Sequence, residues 1–321
     1  MSLHERIEGM SEPAGIYISV PFCRAKCTYC NFASGVFGAE RMDRYVERVC
    51  GEIAGLPGFV AGIEGPGLKP SSPYVAHRGL KPAATPKSAR RGVSHQPLEP
   101  PATPKEKCAG ELAGVEVPRA VDTIYFGGGT PSLLGAEQMR RLFAALRAEF
   151  AVAADAEVTL ECAPGQLSEE TLEELLRQGM NRMSFGVQSF VDAEAKAVGR
   201  LHTRQMCLAE IARMRAAGVA NLNVDLIVGL PGQTAESWRE SVSVALESGV
   251  PHISMYMLEV DEDSRLGREM LGAGAKYGAG EVPSEDAMAE WYGAACEWLA
   301  AAGVRPVSYT HLRAHETGRN L

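Results

Sequence analysis

The sequence lacks long apolar runs and an excess of basic charge. No uninterrupted apolar stretch in the 321 residues approaches the roughly 18 that a membrane-spanning helix needs, and no apolar signal segment precedes Tyr17. Lys and Arg number 32 against 40 Asp and Glu, so the net charge is −8. These absences argue against a membrane span, a secreted protein and a general nucleic-acid binder, and they predict a cytoplasmic location.

Cysteine is present, and three of the eight cysteines are clustered. Cys23, Cys27 and Cys30 form a C-x3-C-x2-C pattern directly after a short strand-like segment, 15–20. Three thiolates this close together can bind three irons of a cubane cluster and leave the fourth iron free to bind a small molecule. An iron without a protein ligand indicates reaction chemistry. The other cysteines indicate reduced thiols and not a disulfide framework.

A structural zinc ion is the alternative use of these cysteines. Zinc sites of that kind are closed by a fourth Cys or His, and none follows Cys30 within the usual short spacing. Cys50 and Cys108 are distant candidates for a fourth ligand. The spacing therefore favours an iron–sulfur cluster over zinc.

Strand-like and helix-like segments alternate along the chain. Ser168 can cap one helix, whose first turn holds Glu169 and Glu170. Strand candidates occupy residues 15–20, 122–126, 157–162, 182–187, 221–229 and 252–258. Each is followed by a helix candidate, and six strand–helix units in a row predict an α/β fold with a parallel sheet.

The chemically suggestive residues lie at the carboxyl ends of these strands, where parallel strand–helix arrays gather their ligands. The cysteine cluster follows the first strand, the triplet Gly127-Gly128-Gly129 follows the second, Glu161 ends the third, Gln188 follows the fourth and Asp225 lies in the fifth. The glycine triplet also opens a helix, which favours a ligand role over a simple turn.

Six further segments carry a family resemblance: IYFGGGTPSLL, EVTLECAPG, MSFGVQSF, GRLHT, NVDLIVGLPGQT and HISMYMLEV. With the cysteine cluster, they resemble the radical S-adenosylmethionine (SAM) superfamily, and within it the oxygen-independent coproporphyrinogen III oxidase group with its haem-chaperone branch. The resemblance covers most of residues 15–265. It implies a partial (β/α)6 TIM-like barrel that binds a [4Fe–4S] cluster and SAM.

The resemblance also implies roles for individual residues. Cluster ligation is implied for Cys23, Cys27 and Cys30. Contacts to SAM are implied for Tyr17, Gly128, Gly129, Thr130, Glu161, Gln188, Arg200 and Asp225. By itself, a lone arginine such as Arg200 is better explained by a solvated charge at a helix end, and only the resemblance favours a place in the site. The implied chemistry is reductive cleavage of SAM, with an electron donor such as flavodoxin or ferredoxin, and no catalytic residue is assigned beyond the cluster.

The residues just after the cluster distinguish two branches of the group. The decarboxylating oxidase has a further cysteine there, in a C-x-C pattern, whereas the haem-chaperone branch usually has an acidic residue and Phe. This chain has Asn31-Phe32. The missing cysteine favours a chaperone that handles haem or porphyrin. The oxidase of porphyrin biosynthesis is the alternative, and a non-catalytic cluster- and SAM-binding fragment is a third possibility.

Two regions depart from the family pattern. Residues 57–118 hold eleven of the 19 prolines and interrupt a predicted barrel made of residues 1–56 and 119–306. This composition favours a disordered, low-complexity insertion over a basic docking arm. Residues 307–321 resemble translated read-through, so we expect truncation near residue 307, with a carboxyl-terminal haem-associated domain missing. His311 and His315 are accordingly not assigned as haem ligands.

Overall fold

Eight strands and eight α-helices make up the described part of the chain, which in this computed structural model comprises residues 13–61, 119–307 and 311–313. The strands are β1 (Ala14–Val20), β2 (Ala120–Gly128), β3 (Ala151–Cys162), β4 (Arg182–Gln188), β5 (Asn221–Val228), β6 (His252–Met257), β7 (Arg305–Pro306) and β8 (His311–Arg313). The helices are α1 (Ala39–Ala61), α2 (Ala136–Glu149), α3 (Glu169–Arg177), α4 (Asp192–Ala197), α5 (Arg204–Ala216), α6 (Ala235–Glu247), α7 (Arg265–Leu271) and α8 (Glu285–Ala301).

The sheet runs in chain order from β1 to β6, and every neighbouring pair in this series is parallel. Helices connect the successive parallel strands, as crossover connections require. Strand β8 pairs antiparallel with β6 and with β7, so the described strands form an open sheet. The predicted α/β class with six parallel strands is confirmed, and the open strand order is that of a partial (β/α)6 barrel.

The helices pack on the sheet through the apolar positions that the sequence indicates. On α2, four apolar residues share the buried face: Met139, Leu142, Phe143 and Leu146. The ring of Phe143 lies 5.3 Å from the ring of Phe126 on β2, and both are almost fully buried. Such burial stabilises the fold by about 25 cal/mol per Å² of apolar surface. The predicted cap of α3 is confirmed, because Ser168 Oγ accepts a hydrogen bond from the Thr171 N–H at 3.1 Å.

Helix α1 ends later than the sequence pattern suggests. It continues to Ala61, four residues beyond Pro57, where the predicted insertion begins. Of the described residues, 13–57, 119–307 and 311–313 belong to one compact unit. Residues 62–118, which hold most of the predicted insertion and Cys108, lie outside the described part of the chain. Of the predicted tail, residues 311–313 form β8, and His315 lies outside the described residues. No described helix is long and apolar enough to span a bilayer.

One buried histidine predicts a pH-dependent stability. His202 Nε2 donates to the Val187 carbonyl oxygen at 3.0 Å. Burial, and then the nearby Arg200 guanidinium, lower the pKa of His202 from 6.5 to about 4. Below pH 6.5 the imidazole of His202 binds a proton in the unfolded chain but not in the folded protein. The neutral His202 therefore makes its full contribution to the free energy of unfolding above pH 6.5, and this contribution is lost as the pH falls towards 4.

We therefore expect His202→Gln, which keeps an N–H donor but does not titrate, to flatten the acid side of the stability profile. Between pH 7 and pH 4, the difference in unfolding free energy between wild type and variant should change by about 3 kcal/mol. Urea denaturation of the metal-free proteins at several pH values measures this difference. Parallel stability profiles for the two proteins would contradict the prediction.

Candidate functional site

A cavity of about 340 Å³ opens at the carboxyl ends of the parallel strands. Its lining includes all eleven residues that the sequence singled out: Tyr17, Cys23, Cys27, Cys30, Gly128, Gly129, Thr130, Glu161, Gln188, Arg200 and Asp225. They come from β1, the loop after it, β2, the residues just after β2, β3, β4, β5 and the loop after α4. The fold thus gathers residues separated by up to 208 positions, counted from Tyr17 to Asp225, around one space.

The cysteine loop is fixed to the barrel at its beginning. The Cys23 N–H donates to the Gly35 carbonyl oxygen at 2.9 Å, which closes the loop on itself. Phe22 is almost fully buried, and its ring packs edge-on against the rings of Phe37 and Tyr45 at 5.9 and 5.2 Å. Burial of this aromatic side chain holds the start of the cysteine segment at the end of β1.

The middle of the loop is held by backbone hydrogen bonds from two other parts of the barrel. The Thr28 N–H donates to the Val198 carbonyl oxygen at 3.1 Å, and the Leu266 N–H donates to the Thr28 carbonyl oxygen at 2.9 Å. Within the loop, the Cys30 N–H donates to the Cys27 carbonyl oxygen at 3.2 Å. The cysteines therefore sit on a backbone that is tied to the residues after α4 and to α7.

The glycine triplet lies directly against this loop. The Gly129 N–H donates to the Val20 carbonyl oxygen at 2.7 Å, and the Thr130 N–H donates to the Phe22 carbonyl oxygen at 2.7 Å. A Cβ on Gly129 would lie 2.7 Å from the Phe22 oxygen and 2.8 Å from the Val20 oxygen. Gly128 has φ +104°, which glycine adopts readily. The glycine triplet thus lets the main chain after β2 lie against the main chain of the cysteine loop, where a side chain would block the contact.

Glu161 faces the cavity at the end of β3. Its two carboxylate oxygens accept hydrogen bonds from the Tyr125 hydroxyl at 2.9 Å and from the Gly128 N–H at 3.0 Å. Burial raises the pKa of Glu161, and the Tyr125 hydrogen bond opposes that rise. Tyr125 also stacks on Tyr17, with 5.5 Å between ring centroids. This arrangement fixes the carboxylate beside the glycine triplet and an aromatic wall.

Asp225 sits in a polar network inside the barrel. It accepts hydrogen bonds from Ser184 Oγ at 3.1 Å and from Asn223 Nδ2 at 2.8 Å, while Ser254 Oγ donates to Asn223 Oδ1 at 3.1 Å. Burial raises the pKa of Asp225, and these hydrogen bonds oppose the rise. Sequence reasoning missed the three partners. The two-residue spacing of Asn223 and Asp225 could have predicted their contact, because alternate residues of a strand lie on the same face of the sheet.

Gln188 ends β4 in an unusual backbone conformation. Its φ is +68°, and the pairing of β4 with β5 shifts register between Gly186 and Gln188. A residue other than glycine in this region costs about 1 to 3 kcal/mol and is found most often at functional sites. A Cβ on Gly186 would lie 3.0 Å from Gln188 Nε2 and 3.0 Å from Arg200 Nη2, so glycine leaves room for both side chains.

Arg200 reaches from the end of α4 to the cysteine loop. Its Nη1 donates to Cys27 Sγ at 3.5 Å, and its Nη2 donates to the Gly186 carbonyl oxygen. Its Nε is buried without a hydrogen-bond partner. The alternative of a solvated charge at a helix end is therefore wrong for this arginine, because its guanidinium is engaged inside the site.

Nine further cavity residues were not assigned from the sequence, and three of them carry titratable side chains with shifted pKa values: Tyr29, Cys162 and Tyr256. The Tyr29 phenol lies beside Cys27, and burial together with that thiol raises the pKa of Tyr29 well above its usual value. Burial raises the pKa of Cys162 to about 12, so its thiol stays protonated near neutral pH. Burial, and then the carboxylate of Asp225, raise the pKa of Tyr256 to about 12.

The residues present fit a cubane cluster with a small ligand. Within the described residues, no three His, Cys, Asp or Glu side chains are placed to share a single metal ion. In a cubane each thiolate binds a different iron, so the sulfurs need only line the same space, as Cys23, Cys27 and Cys30 do. The unpartnered Arg200 Nε supplies a donor for an anionic group nearby.

Comparison with known proteins decides the family. The model of the Radical SAM superfamily matches residues 86–245. The heme chaperone HemW of Lactococcus lactis is 29% identical over 294 residues, which are 92% of this chain and 60% of that protein. The chain contains a radical SAM domain. The heme chaperone HemW of Synechocystis sp. is a second relative, 30% identical over 297 residues, which are 91% of this chain and 57% of that protein.

A solved radical SAM structure shares the fold. The coproporphyrinogen III oxidase HemN from Escherichia coli aligns with a TM-score of 0.70 and 22% identity, over 95% of this chain and 56% of that chain. The chain spans about 60% of the length of the curated relatives that it matches. Radical SAM proteins use a [4Fe–4S] cluster and SAM. The family match begins at residue 86, so it does not depend on the three cysteines that share the cavity with the matched residues.

Proposed function

We propose that this chain is the cluster- and SAM-binding part of a cytoplasmic radical SAM protein that handles haem or porphyrin, as its chaperone relatives do by name. One observation carries the proposal: Cys23, Cys27 and Cys30 line the same cavity as the eight residues proposed to contact SAM. The cysteines come from one loop and the SAM residues from five strands and a helix end, so their convergence is a property of the fold.

Each group of residues has a proposed task at this site. The three thiolates bind three irons, and bound there the cluster supplies one electron for reductive cleavage of SAM. Gly128, Gly129 and Thr130 present backbone close to the methionyl end of SAM. Glu161 and Asp225 accept hydrogen bonds from its amino or ribose hydroxyl groups, since ionised carboxylates are acceptors only. Arg200 Nε and Gln188 provide donors for its carboxylate.

The charges of the cavity favour SAM as its occupant over a porphyrinogen substrate. Coproporphyrinogen is a multiply anionic substrate, and binding its propionates calls for several Lys or Arg side chains. Among the described cavity residues, Arg200 is the single Lys or Arg, and it stands against Glu161 and Asp225. Its guanidinium is already bonded to Cys27 and Gly186. The space thus suits zwitterionic SAM better than a polyanionic tetrapyrrole.

Electron paramagnetic resonance tests the proposal directly. The protein is reconstituted anaerobically with iron and sulfide, reduced with dithionite, and its spectrum is recorded with and without SAM. We expect a cubane signal that changes when SAM is added. In the cell, a flavodoxin or a ferredoxin is expected to take the place of dithionite as the electron donor. Bound zinc with no cluster signal would refute the proposal, and a cluster signal insensitive to SAM would refute its SAM component.

The proposed SAM contact of Glu161 gives a second test. Glu161→Gln removes the negative charge but keeps the size of the side chain, so we expect SAM to bind the cluster-loaded variant about tenfold more weakly, since hydrogen bonds to a charged group contribute about 1.5 to 3 kcal/mol. Equilibrium dialysis with labelled SAM measures the affinity. Glu170→Gln, in the exposed first turn of α3, is the matched control. Equal SAM affinity for both variants would contradict the assignment.

A further inference from the structure

The hydrogen bond between Arg200 and Cys27 distinguishes one of the three cluster cysteines from the other two. Among the described residues, Arg200 is the only Lys or Arg whose side chain donates to the sulfur of Cys23, Cys27 or Cys30, with 3.5 Å between Nη1 and Sγ. The same guanidinium is anchored on its far side by the Gly186 carbonyl oxygen. A planar group held at two points cannot swing away as an exposed lysine would.

The backbone around Arg200 is also seated on the cysteine loop. The Arg200 N–H donates to the Ala195 carbonyl oxygen at 2.9 Å, which ends α4 with Gly199 at φ +85°. The Val198 carbonyl oxygen accepts from the Thr28 N–H at 3.1 Å. A Cβ on Gly199 would lie 3.8 Å from the Cα of Cys27, so the turn and the loop touch. The distance from guanidinium to sulfur is therefore set by main-chain contacts.

We infer that Arg200 is a positioning residue that raises the reduction potential of the cluster through its hydrogen bond to the Cys27 thiolate. This inference rests on the proposed function. Reduction adds one negative charge to the cluster, and a fixed cation at a ligand sulfur stabilises the reduced form more than the oxidised form. Hydrogen bonds to the sulfurs and local charge are the levers by which proteins set such potentials. The Tyr29 phenol lies beside the same sulfur but carries no positive charge.

The test compares midpoint potentials of reconstituted proteins without SAM. Arg200→Gln removes the charge, Arg200→Lys keeps it, and Arg204→Gln is the control, because Arg204 begins α5 and pairs with Glu240. We expect Arg200→Gln to lower the equilibrium constant of reduction about tenfold, which is 59 mV for a one-electron couple. Arg200→Lys should lie between it and wild type, and Arg204→Gln should match wild type. An unchanged potential in a fully loaded Arg200→Gln variant would overturn the inference.

A measurement on the wild-type protein keeps the inference testable if Arg200→Gln does not load. Protein labelled with guanidino-¹⁵N arginine is reduced, and pulsed electron paramagnetic resonance should show ¹⁵N hyperfine coupling to the cluster without SAM, with loss of the coupling in Arg200→Lys. Absence of that coupling in wild type would overturn the inference while leaving the cluster site intact. Absence of any cluster in wild type would instead overturn the proposed function, so the two failures are distinguishable.

Discussion

Replacing Cys27 by serine should abolish cluster binding, with iron and sulfide falling from about four of each per chain to background after reconstitution. The same loss is expected for Cys23→Ser and Cys30→Ser. A cubane held by three thiolates has no spare protein ligand, and a serine hydroxyl is a poor substitute because it stays protonated and binds iron weakly. Burial raises the pKa of Cys30, so its deprotonation depends on the metal. Iron and sulfide assays with the optical spectrum measure the loss.

The matched controls are Cys50→Ser and Cys296→Ser. Both thiols are partly buried, as the cluster cysteines are, but neither lines the cavity. The Cys50 thiol instead donates to the Arg141 carbonyl oxygen at 3.7 Å. Both control variants should keep a full cluster. If Cys50→Ser lost the cluster and Cys27→Ser kept it, the ligand set inferred from the spacing would be wrong, and the distant fourth-ligand hypothesis for Cys50 would regain support.

The convergence of the site was predictable because the rule behind it is topological. In a parallel strand–helix array, every strand delivers its carboxyl end to the same edge. The predicted strand ends at 20, 126, 162, 187 and 229 lie within two residues of the observed ends at 20, 128, 162, 188 and 228, and this was enough to bring Cys23, Gly128, Glu161 and Asp225 together. The periodicity of apolar residues locates strands to within a few positions, and that tolerance does not change which edge a residue reaches.

The partners of the site residues were not predictable in the same way. The choice of Ser184, Asn223 and Tyr125 as hydrogen-bond donors depends on the register between neighbouring strands, and a shift of one residue would turn each side chain to the other face. Arg200 illustrates the limit most clearly. The sequence around Arg200 is typical of an exposed helix end. Only the packing of the turn after α4 on the cysteine loop brings the Arg200 guanidinium to Cys27.

Single residues in the sequence also misplace the end of a helix when their cost to the helix is small. Proline opposes helix because it lacks an N–H and clashes with the preceding turn, which argued for an end of α1 before Pro57. The helix nevertheless extends to Ala61. Proline removes one hydrogen bond of a helix and leaves the others in place, so a proline near the end costs less than one in the middle. The positive φ of Gln188 is another local feature that could not be predicted from the residue type.

Gly129→Ala should destabilise the protein by about 3 kcal/mol and reduce cluster loading at the same time. The added Cβ would lie within 3.0 Å of the Val20 and Phe22 backbone atoms. Main chain cannot rotate away as a flexible side chain can, so the cysteine loop itself must move. The Gly129 N–H bond to Val20 and the Thr130 N–H bond to Phe22 would lengthen with it. Urea denaturation gives the stability, and iron content gives the loading.

Gly293→Ala separates this effect from the general effect of replacing a glycine. Gly293 lies in α8, and a Cβ there would meet no atom within 4 Å. Alanine in a helix interior is favoured over glycine by about 0.8 to 1 kcal/mol, so this control should be slightly more stable than wild type and load the cluster fully. A Gly129→Ala protein with wild-type stability and wild-type iron content would mean that the glycine triplet does not hold the cysteine loop in place. Loss of iron at unchanged stability would instead mean that the loop yields locally, and that Gly129 serves the metal site more than the fold.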